Sequence, residues 1–169
     1  MSASIKDDPF FENCYEKLKL KCKEVFEEKA RESEADMESD YMRDLYYRIL
    51  MEMDTIKKNG FCQEIYLFKT IVDYARSKKC SVDICGDIET SFVAYLLGLV
   101  DDPQYYYFPS RYPYMYILAS EEFKKELTGY FKVIFGEDKV TYKNDYLIFG
   151  NKENIKDHRT PDTIWIHII

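Results

Sequence analysis

Residues 112–118, Tyr112-Pro113-Tyr114-Met115-Tyr116-Ile117-Leu118, alternate in the manner of a β-strand. Successive side chains of a strand point to opposite faces, so Tyr114 and Tyr116 share one face and Met115 and Ile117 the other. Pro113 suits the start of such a strand, where a ladder donor is not yet needed. The run that follows, "SEEFKKELTGYFKVIF", has helical periodicity, with Ser120 as N-cap and Glu121 and Glu122 in the positive first turn. "DKVTYKNDYLIFG" then reads as two strands joined at Lys143-Asn144-Asp145, and "TIWIHII" as a last strand. Upstream, "CSVDIC" is a strand candidate and "IETSFVAYLLGLV" an apolar helix.

The first half has a different grammar. Asp8 before Pro9 caps a helix whose apolar positions are Phe11, Tyr15, Leu18, Cys22, Val25 and Phe26. The charged stretch "EEKARESEADMESD" has no apolar stripe and reads as that helix's solvated end plus a linker. A second helix places Met42, Leu45, Ile49, Met53 and Ile56 on one face and stops at Gly60. A third runs from Phe61 to Lys79 through Ile65, Phe68, Val72 and Ala75. The expected fold class is α+β within one domain, 1–169: a helical part, 8–80, packed on a small mixed sheet within 81–169.

Composition narrows the function. With 16 Tyr and 11 Phe in 169 residues, a core is readily furnished. The formal charge of −7 weighs against a bare nucleic-acid surface, because phosphate contact is chiefly the work of Lys and Arg. Five cysteines (Cys14, Cys22, Cys62, Cys80 and Cys85) form no C-x-x-C pair and read as reduced thiols of a cytoplasmic protein. No signal-peptide pattern and no apolar run of membrane-spanning length is present, so no membrane role is expected. His158 and His167, the only histidines, have no nucleophile partner at a recognisable spacing. The carboxylates Asp83, Asp87, Glu89, Asp101 and Asp102 read as caps and solvated charges ahead of a metal site. The aromatic cluster Tyr105-Tyr106-Tyr107-Phe108, followed by Arg111, Tyr112, Tyr114 and Tyr116, ranks as core first, partner surface second and base-stacking platform third.

Residues 41–150 carry an ordered set of motifs. Arg48, Leu50, Glu52 and Ile56 lead to Gly60-Phe61; then come Ser91-Phe92-Val93-Ala94-Tyr95-Leu96-Leu97-Gly98-Leu99 and Asp101-Asp102-Pro103. Phe135-Gly136-Glu137-Asp138-Lys139-Val140 follows the Tyr114 strand and its helix. In order and spacing these resemble the palm region, with adjoining helices, of the C-family α subunit of bacterial DNA polymerase III. The resemblance implies a nucleotidyltransferase-type mixed sheet with helices.

The departures from the family pattern fall on its chemistry. Where the family has an Arg-Gly-Ser triphosphate loop, this chain has Cys85, Gly86 and Asp87, and Ser91 belongs to the same degenerate loop region. An incoming triphosphate would meet like charge there, and the acidic residues are expected to cap the helix instead. Aligned on Pro113, the two metal-bridging aspartates of the family fall on Tyr114 and Tyr116. A neutral phenol is a poor ligand for Mg²⁺. The family's third aspartate lies in a region expected beyond this chain. The resemblance, so altered, implies a catalytically inactive pseudo-polymerase with no cofactor, no metal and no catalytic residue, expected to bind a protein partner as a regulatory or interaction module in DNA replication or in a mobile element that borrowed a replicase fragment. The alternative is a residual nucleotide-binding protein or nucleotidyltransferase using acidic residues around Asp87.

Overall fold

A computed structural model describes residues 3–101, 114–155 and 159–169. Its architecture is mixed α+β, with a five-stranded sheet. The chain gathers into two compact units that do not follow sequence order: residues 1–12, 70–85 and 115–169 form one, and 13–69 with 86–114 the other. Residues 70–80 cluster with the sheet, and residues 86–101 cluster with the helices. Among the described residues no helix is long and apolar enough to cross a membrane.

The helical unit is built on α1 (Cys14–Glu32), α2 (Asp40–Lys58), the first half of α3 (Cys62–Ser77) and the short α4 (Phe92–Leu96). Asp8 does cap a turn, donated to by Phe10 N–H, but that turn is the 3-10 segment Pro9–Phe11; α1 proper starts after Asn13, whose φ of 56° breaks the helical path. Ser39 Oγ caps α2 by accepting from Met42 N–H. At the other end Gly60 (φ 69°) lets Phe61 N–H return to Ile56 O, the six-to-one closure of a Schellman motif. Leu18, Cys22 and Phe26 of α1, Ile49, Met53 and Ile56 of α2, and Phe92, Val93, Ala94 and Leu96 of α4 are buried, as the apolar spacing requires.

The sheet unit orders its strands β1-β2-β5-β4-β3: β1 (Asp83–Gly86), β2 (Met115–Leu118), β3 (Val140–Lys143), β4 (Tyr146–Phe149) and β5 (Ile164–Ile168). β2 and β5 are parallel; β5–β4 and β4–β3 are antiparallel. The β3–β4 hairpin turns at Asn144 and Asp145, both with positive φ (51° and 63°), which matches the strand twist of a type I′ turn. Met115, Ile117, Leu147, Phe149, Ile164, Ile166 and Ile168 fill one face of the sheet. α5 (Glu121–Phe135), capped by Ser120 as expected, lays its apolar stripe there, with Phe131 and Phe135 edge-on to Phe149 at 5.0 and 5.5 Å. Phe10 of the N-terminal turn closes on Phe135, and Tyr74 of α3 stacks on Tyr130 at 4.2 Å.

Candidate functional site

Two places carry the residues that the sequence singles out, one in each unit. The first is the start of α4. Five residues of helix leave unpaired N–H groups at its N-terminus, and these must find acceptors because the surroundings are dry. Ser91, fully buried, takes Ala94 N–H on its Oγ at 3.0 Å. The next two are taken by a side chain from α2: Phe92 and Val93 N–H donate to Glu52 Oε1 (3.0 Å) and Oε2 (2.6 Å). Arg48, one helical turn before Glu52, brings its Nε to 3.7 Å from Oε1 and donates through Nη2 to Thr90 O at 3.1 Å. Glu52 is 1% exposed. Burial pushes its carboxyl up to about 7, against the Val93 and Phe92 N–H bonds, the Arg48 charge and a Ser91 contact, all of which favour the anion.

The expectation that the neighbouring acidic residues cap this helix is corrected here. Asp87 and Glu89 lie in the 3-10 turn Asp87–Thr90 and bind elsewhere. Asp87 Oδ2 accepts Tyr114 N–H at 2.9 Å, while Asp87 N–H donates to Tyr114 O at 2.8 Å. Glu89 Oε1 accepts Gly86 N–H at 3.1 Å. Gly86 sits at φ 104°, ψ −155°, a conformation that essentially only glycine adopts, so the loop's glycine answers a backbone need. Cys85, just before it, is half-buried. The acidic loop is thus held by its own carboxylates, and Ser91 and Glu52 fill the helix start.

The second place is the face of the sheet opposite α5. Of the two tyrosines in the opening strand, Tyr116 is carried by β2 and Tyr114 precedes it, 53% exposed. Tyr116 is paired in register with His167 of β5, their rings 6.1 Å apart. His167 stacks on Tyr146 of β4 at 4.6 Å and 16°, and Tyr146 meets Trp165 edge-on at 5.6 Å. The Arg159 guanidinium lies 5.8 Å from the Tyr146 ring. One of the two neighbours of β2 is therefore β5, and the residue it sets beside Tyr116 is an imidazole. All five of these side chains are partly accessible or exposed.

Sequence reasoning missed Glu52 as a buried group, although a signal existed. It falls three residues after Ile49 and four before Ile56, a carboxylate written into an apolar stripe. It missed the ring face because His167 and Tyr146 meet Tyr116 only through strand pairing. His158, Asp102 and the cluster from Tyr105 to Tyr112 lie outside the described residues. Among the described residues no three His, Cys, Asp or Glu side chains converge as a metal site would require. The chain matches no protein-family model and no curated protein sequence.

Proposed function

We propose that the chain is a catalytically inactive, palm-like module related to the α subunit of DNA polymerase III, and that it works by binding a protein partner in or near DNA replication. The observation that carries this reading is the ring-lined sheet face. At the strand position where the resemblance calls for a metal-bridging carboxylate stands Tyr116, and its neighbours are His167, Tyr146, Trp165 and Arg159. Aromatic rings with an Arg at their edge are the side chains that protein interfaces favour, and neutral rings give Mg²⁺ no hard ligand. The start of α4 supports the same reading, since Glu52 already takes two N–H groups of the helix that the resemblance assigns to a triphosphate. The net charge of −7 favours a protein over a nucleic acid as the occupant of the ring face.

The test is a comparison of complexes recovered with the wild-type chain and with Tyr146→Asp. A folded Tyr146→Asp variant that no longer recovers the wild-type's protein partner supports the reading. Recovery of the same partner by both chains, or of nucleic acid in place of protein, contradicts it.

A further inference from the structure

Two cysteines 48 residues apart meet at the beginnings of two helices. Cys14 is the first residue of α1 and Cys62 the first residue of α3, and their sulfurs lie 3.4 Å apart in a thiol–thiol hydrogen bond. Both side chains are enclosed but keep a little surface, 6% and 8% exposed, enough for a small oxidant to arrive. No spacing in the sequence announces the pair, and composition alone predicts five unconnected thiols.

We infer that Cys14 and Cys62 form a reversible disulfide, a redox modification site of the helical unit whose oxidant is a peroxide. Closing the bond needs the sulfurs to approach by about 1.4 Å, from 3.4 Å to the ~2.05 Å of a disulfide. The positive end of the 19-residue α1 favours a thiolate at Cys14. The contact with Cys62 holds the Cys14 thiol below its ordinary value, and the same contact, with burial and the Glu16 and Glu64 carboxylates, pushes Cys62 up. Attack is assigned to Cys14 and resolution to Cys62, and the same disulfide results with the two roles exchanged.

Cys14 sulfur attacks one oxygen of hydrogen peroxide, the O–O bond breaks, and the departing hydroxide takes up the Cys14 proton to leave as water. Cys62 sulfur then attacks the Cys14 sulfenic sulfur, the S–O bond breaks, and hydroxide leaves as a second water with the Cys62 proton. Two electrons pass from the two sulfurs to the peroxide, and a dithiol reductant returns them. Cys22 stands outside this chemistry, because it is fully buried and burial pushes its thiol up to about 12.

The experiment treats the full chain with hydrogen peroxide, blocks remaining thiols with an alkylating agent, and reads intact mass and a non-reducing peptide map. The expected result is loss of two hydrogens, a linked peptide joining Cys14 to Cys62, and return to the starting mass with dithiothreitol. Cys14→Ser and Cys62→Ser each abolish the linked peptide, whereas Cys80→Ser and Cys85→Ser each keep it. Because a serine could disturb the helix starts, the melting temperature of the wild-type chain is read in both redox states. The disulfide closes a long loop and should raise it by on the order of 5 °C. Full alkylation of Cys14 and Cys62 after peroxide, a bond through Cys80 or Cys85, or a fall in melting temperature on oxidation would overturn the inference.

Discussion

The start of α4 and the ring face of the sheet are the two places where the resemblance calls for ligands, and they are filled in opposite ways. At α4 the chain supplies an internal carboxylate, Glu52, which takes two helix N–H groups and is shut away from water. At the sheet face Tyr116, Tyr146, Trp165 and His167 pack on one another yet stay partly accessible. The first arrangement uses polar groups to close a region. The second leaves part of each ring open to solvent. A buried polar set is intolerant of change, because each unsatisfied group carries its full desolvation cost, whereas a partly exposed ring stack loses only its contact.

The largest expected effect follows from that asymmetry. Glu52→Ala removes the acceptor of Phe92 and Val93 N–H and the partner of Arg48, and should cost about 3–5 kcal/mol in chemical denaturation. A loss below about 1 kcal/mol would mean that water replaces the carboxylate and the helix start is open.

The pH dependence sharpens the same point. Glu52 holds its proton to about pH 7 in the folded chain, against about 4.5 ordinarily, so folding takes up a proton between those values. Its contribution to stability is therefore greatest at low pH and falls as pH rises from about 4.5 to about 7, by about 3 kcal/mol, then levels off. Glu52→Gln should flatten that part of the stability–pH curve. An unchanged slope would place the titration elsewhere.

Tyr146→Ala removes a stack and an edge contact from a surface that stays hydrated, and the expected cost is about 1–2 kcal/mol. A loss as large as that of Glu52→Ala would show that the sheet face is core, and the contrast between the two regions would fail. Smallest of all is the double variant Tyr114→Asp/Tyr116→Asp. It should change stability by less than about 1 kcal/mol and show no primer extension with Mg²⁺, since the loop at Asp87 still lacks the Arg and Ser that the resemblance calls for.

Periodicity made much of this legible. The apolar spacing of α2 and α5, the cap at Ser120 and the turn at Asn144-Asp145 are local properties, written within a few residues. What the sequence withheld was long-range. Nothing in "TIWIHII" says that it lies between β2 and β4, so the meeting of His167 with Tyr116 and Tyr146 was invisible. The cap of α4 comes from a residue 40 positions from Phe92, which defeated the local inference that Asp87 and Glu89 supply it. The thiol pair Cys14–Cys62 escaped notice for the same reason.

The central claim, that this chain binds without polymerase chemistry, is tested most directly by titrating it with Mg²⁺ and each nucleoside triphosphate while following the melting temperature. A ligand of the native state must raise that temperature by mass action. The account predicts no rise with any of the four. A rise that grows with nucleotide concentration and disappears in Asp87→Ala would contradict it.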